Sequence, residues 1–116
     1  MRYLAVGWTG YVPTDCRGSL MFVPANVAPW LSLRRHGVKV IRYPQPDGRI
    51  DLAAVEGAMT ERTLVLSVSW VAFHTGWIAP LAQLGRLCRD RGIRFIVDAI
   101  QGMGVLPMHL KALGID

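Results

Sequence analysis

Residues 94–104, RFIVDAIQGMG, constrain what this chain can fold into more than any other stretch. Ile93, Phe95, Ile96 and Val97 form an apolar run too short for a helix, which predicts a buried strand of a parallel sheet. The run ends in a carboxylate. Asp98 is followed by Ala99, by Gln101 at i+3, and by Gly102 and Gly104, so the strand passes directly into a turn. In open α/β sheets, ligands bind in the crevice beyond the carboxyl ends of the strands. Asp98 is therefore a candidate ligand contact, to be weighed against the ordinary use of a strand-end aspartate as an acceptor for turn or cap amides.

The chain upstream repeats the pattern of a strand followed by a helix. Residues 1–19 are broken by Gly7, Gly10, Pro13 and Gly18 and predict loop, with one short strand near Tyr3 to Val6. Residues 20–23 predict a strand stopped by Pro24. Asn26 then caps a helix running to about His36, with Gly37 beyond its end. Residues 38–43 alternate as a strand, and the Gln45-Pro46-Asp47-Gly48 segment is turn chemistry. Asp51 caps a helix over residues 52–59 in which Leu52, Val55 and Met59 share one face. Residues 63–70, TLVLSVSW, predict a second buried strand. Pro80 opens a helix to about Arg91, closed by Gly92 in a left-handed cap, and a short turn around residues 109–113 ends the pattern.

Strands that alternate with helices at this spacing imply βαβ units and a mainly parallel sheet. The expected fold class is α/β: part of a three-layer α/β/α arrangement, within one domain at most for 116 residues. So few helices cannot cover both faces of such a sheet well, so association through an uncovered face, as a homo-oligomer or with another chain, is expected.

Charge and cysteine content narrow the function classes. The formal charge of +5 suggests nucleic acid, but Arg34, Arg35, Arg42, Arg49, Arg62, Arg86, Arg89, Arg91 and Arg94 are scattered singly or in pairs, with no basic block. No nucleic-acid partner is expected. No apolar run approaches a membrane span, and residues 1–15 lack a signal-peptide core, so a cytoplasmic protein with no membrane partner is expected. Cys16 and Cys88 match no metal or redox spacing, and His36, His74 and His109 are isolated, so no metal site is expected. Cys88 falls on the apolar side of its helix with Leu81, Leu84 and Leu87, where a buried, inert thiol is expected. His74 reads as a structural loop residue, and Trp30 and Trp77 as packing residues. Gly102 and Gly104 do not make a dinucleotide fingerprint, which needs a third glycine and a helix start. A self-contained Rossmann-like enzyme would also need a phosphate loop after its first strand, and none is found.

Four segments, in order, resemble the class V aminotransferases, a group that includes cysteine desulfurases and belongs to the fold type I pyridoxal-phosphate enzymes. They are PANVAPW at 24–30, DGRIDLAAVEGAMTERTLVLSVS at 47–69, the SxVxxxTG pattern at 69–76, and VDAIQGMGVLPMHLKALGID at 97–116. The resemblance covers residues 21–116 as a partial large domain and leaves residues 1–20 poorly matched. It implies pyridoxal 5'-phosphate as the ancestral cofactor and an amino-acid-like small molecule as substrate. It also implies that Asp98 pairs with the pyridine nitrogen and that Gln101 lies near the ring's phenolic oxygen; Thr75, on a loop expected to open on the same edge as Asp98, is a candidate cofactor contact. A carboxylate at that nitrogen keeps it protonated, so that the ring accepts electrons from a substrate carbanion.

The departures carry equal weight. In the family the Schiff-base lysine follows the aspartate at a distance beyond Asp116, and neither Lys39 on its strand nor Lys111 on its short terminal helix matches it. No catalytic residue is therefore assigned. The family's Ser/Thr/Gly-rich phosphate turn has no counterpart in residues 1–20, although main-chain N–H groups at a helix start are the usual phosphate anchor. Phe22, Val23 and Pro24 stand where desulfurases commonly carry a ring-stacking histidine, and Phe73 stands where they carry an asparagine. These two differences disfavour a desulfurase. The expectation is a fragment of a class V aminotransferase-like protein that is inactive by itself, the alternative being a non-catalytic α/β module for oligomerisation or partner binding.

Overall fold

In a computed structural model of the chain, residues 2–7, 28–43, 49–73 and 75–116 are described. The predicted strand at 20–23, the Asn26 cap, the turn at 45–48, Cys16 and His74 lie outside them. Four strands, β1 (Arg2–Gly7), β2 (Val38–Tyr43), β3 (Thr63–Ser69) and β4 (Arg94–Asp98), form one sheet in the order β2-β1-β3-β4. Every pairing is parallel. The short strand expected near the amino terminus is thus the centre of the sheet, hydrogen-bonded on both sides.

Local chemistry accounts for the helices. Helix α1 (Ala28–Ser32) tightens into a 3-10 turn over Leu33–His36, and Gly37, at φ 77°, closes it by donating to Arg34 C=O at 3.1 Å. The predicted stop is met, but the last turn is not α-helical. Leu33 is the apolar residue among Leu33, Arg34, Arg35 and His36, so little holds that turn against the sheet. Helix α2 (Leu52–Ala58) starts as expected, with Ala53 N–H donating to Asp51 Oδ1 at 2.9 Å. Helix α3 (Leu81–Asp90) buries Leu81, Leu84, Gly85 and Cys88, and Gly92 follows in the left-handed region at φ 64°. Helix α4 (Leu110–Leu113) is a single turn.

Two apolar clusters sit on opposite faces of the sheet. Val55 of α2, Met59 just after it, and Leu84 and Cys88 of α3 pack against Leu66, Val68 and Phe95. Trp30, Leu31 and Leu33 pack against Val40 and Val65. Both faces therefore carry helix, with the second face covered over β2 and β3. Successive side chains of a strand point to opposite faces, so Ile96 and Asp98 of β4 share the second face, with Ser67 and Ser69 opposite them in register. Ile96 and Asp98 are half-buried. This difference in cover sets the environment of Asp98: β4 is apolar beneath α3 and turns polar on its other side as it ends.

Candidate functional site

The carboxyl ends of β3 and β4 are held together past the last ladder pair. Trp70 N–H donates to Asp98 C=O at 2.9 Å, which extends the pairing by one bond. From there the chain after β3 folds back on itself. Val71 and Ile78 form an antiparallel bridge, Ala72 N–H donates to Trp77 C=O at 2.9 Å, and Ala79 N–H donates to Trp70 C=O at 2.7 Å. Gly76, at φ 68°, makes the reversal possible. Thr75 lies at the tip of this loop, exposed, where its Oγ1 accepts from Trp77 N–H at 3.2 Å.

After β4 the chain makes a helical turn. Gly102 and Met103 N–H both donate to Ala99 C=O, at 2.9 and 2.8 Å. Gly102 lies under the indole of buried Trp70, so closely that a Cβ there would overlap the ring carbons. That contact locks the turn carrying Gln101 onto the loop that follows β3. Gln101 itself is exposed.

Asp98 plays the turn role expected of a strand-end aspartate. Its Oδ1 accepts from Ile100 N–H at 3.1 Å, the turn-forming bond of a strand-end aspartate. Its Oδ2 has no partner among the described residues. A half-buried carboxylate with one oxygen fixed by the main chain is oriented, and its other oxygen is uncommitted among the described residues. Ser69, directly across the ladder, adds a hydroxyl on the same face. The structure thus brings Asp98, Ser69 and the Trp70–Gly102 contact together at one sheet end. Thr75 stands on the loop leaving that same end, and no hydrogen bond joins it to Asp98 or Gln101 among the described residues.

Ser69 is the residue that the sequence reading passed over. Its trace was there in TLVLSVS, where serines alternate with Leu66 and Val68 along a buried strand and so mark a polar face.

The Aminotransferase class-V family model matches residues 20–116. This chain belongs to the class V aminotransferases. Among the curated relatives of this class V chain, the cysteine desulfurase IscS of Rickettsia rickettsii (strain Iowa) is 36% identical over 85 residues, covering 72% of the chain and 21% of the relative. The cysteine desulfurase IscS of Rickettsia bellii (strain OSU 85-389) is 39% identical over the same length. Among solved structures, the cysteine desulfurase CsdA of Escherichia coli superposes with a TM-score of 0.80 at 24% identity, covering 99% of this chain and 26% of that one. DndA of Streptomyces lividans gives 0.74 at 27% identity, covering 97% and 28%.

The class V chain therefore has the fold of one part of the pyridoxal-phosphate fold type I large domain and spans about a quarter of such proteins. The residues at 22–24 and Phe73 were expected to disfavour a desulfurase, yet both of these curated relatives are cysteine desulfurases. Of those residues, Phe73 is described, exposed on the loop that leads to Thr75. A protonated pyridine nitrogen fits Asp98, since a held carboxylate whose second oxygen is open among the described residues is the acceptor that such a group needs.

Proposed function

We propose that residues 21–116 contribute the ring-binding edge of a pyridoxal-phosphate enzyme acting on amino-acid-like substrates, with Asp98 as the partner of the pyridine nitrogen. The carrying observation is the half-buried Asp98 carboxylate at the end of β4, with one oxygen tied to Ile100 N–H and the other open among the described residues. When bound, pyridoxal phosphate supplies an electron sink for a carbanion formed on the substrate. This chain's part is to hold a proton on the ring nitrogen through Asp98. Burial strengthens that pairing, because charges interact more strongly away from bulk water. Gln101 and Thr75, both exposed on turns that follow β4 and β3, would help to hold the ring.

By itself the chain gives no transaminase turnover. Lys39 lies in β2, at the edge of the sheet away from β4, and Lys111 lies in α4. Neither sits at the end of the sheet that holds Asp98 in β4. Pyridoxamine phosphate, which has the same ring and needs no lysine, separates ring recognition from covalent attachment. Titration followed by amide NMR is expected to shift the Ile100 and Gln101 signals saturably in the parent chain and not in Asp98→Asn. Unmoved signals in the parent chain would sink the Asp98 assignment, and measurable transamination by the chain alone would sink the inactive reading.

A homo-oligomeric docking role is the second reading, favoured by the exposure of Ile100, Met103 and Val105 (79%, 70% and 79%) on the turn after Asp98. Light scattering tests it: a monomer at all concentrations removes it.

A further inference from the structure

Of the five pairs in register between β3 and β4, Ser69 with Asp98 is the one in which both side chains are polar. Ser67, two residues earlier on the same face, stands opposite Ile96. The Ser69–Asp98 pair is held from both sides. Before it Val68 is in register with Val97, and beyond it Trp70 N–H donates to Asp98 C=O at 2.9 Å. Neighbouring strands run about 4.8 Å apart, so a serine and an aspartate opposite each other on one face reach a hydrogen bond by side-chain rotation alone.

Both side chains are half-buried, and each has a polar atom that makes no hydrogen bond among the described residues: the Ser69 hydroxyl and Asp98 Oδ2. One is a donor and the other an acceptor. Ile100 N–H fixes Oδ1. The terminal torsion of an aspartate is broad, and a second donor, at Oδ2, narrows it. A serine hydroxyl has three staggered positions, and moving between them disturbs no main-chain bond.

We propose that Ser69 is a positioning residue for Asp98: turned about χ1, its hydroxyl donates to Oδ2 and sets the plane of the carboxylate. The inference rests on the reading of Asp98 as the partner of a ring nitrogen. A carboxylate oxygen carries two lone pairs, so Oδ2 accepts from Ser69 and keeps one for a ring N–H. Because the acceptor is charged, the bond is stronger than a neutral one and offsets the entropy of fixing the serine rotamer.

Carbon-13 NMR of the Asp98 side-chain carboxyl in the ligand-free full chain, at one pH, reads the contact directly. Ser69→Ala is expected to shift that signal. Ser69→Thr, which keeps the hydroxyl on a strand-favouring side chain, is expected to leave it in place. Titrating the same three chains with pyridoxamine phosphate reads the consequence: Ser69→Ala is expected to weaken binding by about fivefold and Ser69→Thr by less than about twofold. A carboxyl signal unmoved in Ser69→Ala, or moved equally in both variants, would overturn the positioning role whether or not the ring binds. So would an affinity unchanged in Ser69→Ala. A parent chain that binds no pyridoxamine phosphate removes the reading of Asp98 instead, and the carboxyl signal still decides whether Ser69 holds it. The amide signals of Leu66 and Phe95, both fully buried, check that the variants keep the fold.

Discussion

An asparagine in place of Asp98 keeps an oxygen where Ile100 N–H needs one and removes the charge, whereas alanine removes both. Asp98→Asn is therefore expected to change stability by less than about 0.5 kcal/mol and Asp98→Ala to lower it by about 1 kcal/mol, in urea denaturation. If both variants were equally destabilised, the charge itself would be holding the fold, and the case for a ligand-facing oxygen would weaken. Cys88 makes a second residue-scale prediction. Burial, and to a smaller extent the Asp116 carboxylate, pushes its thiol up to about 12 from an ordinary 9.0. The unfolded chain releases this proton first as pH rises. The stability linked to it is therefore complete below about pH 9 and is lost toward pH 12, with a slope of about 1.4 kcal/mol per pH unit. Comparing the pH dependence of unfolding for the parent and Cys88→Ala isolates that slope from other titrating groups. The same burial predicts that Cys88 reacts with a thiol reagent only when denaturant is added.

At the scale of elements, two close approaches carry the packing. A Cβ on Gly85 of α3 would collide with the carbonyl of Leu113, so Gly85→Ala must push α4 off α3. One on Gly102 would collide with the Trp70 indole. Each is expected to cost roughly 1–3 kcal/mol in thermal or urea unfolding. Asp51→Ala, which removes the cap of α2, is expected to cost about 1 kcal/mol. The cap and the glycine stops were legible in the sequence because their causes are local: Asp51 acts two residues ahead, and Gly37 and Gly92 close helices they adjoin. Asp98 was legible for the same reason, as the polar end of an apolar run. The Trp70–Gly102 and Gly85–Leu113 contacts were not, because each joins segments far apart in sequence and leaves no periodic trace. Ser69 was half legible, since its alternation with apolar residues was visible but its partner across the ladder was not.

For the whole molecule, the decisive element is the one that the sequence marked most faintly. Residues 2–7 form a short strand among breakers, yet in the order β2-β1-β3-β4 it is β1 that is hydrogen-bonded to both β2 and β3. Both of its neighbours reach it through long crossovers, so nothing local reveals its place. Removing residues 1–7 leaves β2 with no ladder and β3 with one open edge, so that among the described residues the Trp30–Val40 cluster meets the rest of the sheet chiefly through Val65. Such a truncation is expected to abolish cooperative unfolding, as measured by circular dichroism against urea. Breaking the exposed Arg91–Glu56 pair, at 2.7 Å, is a useful contrast: Arg91→Ala is expected to move the urea midpoint by no more than about 0.5 kcal/mol equivalent. A truncated chain that still unfolded in one sharp transition would mean that β2 and its helix dock without β1, and the sheet order described here would have to be abandoned.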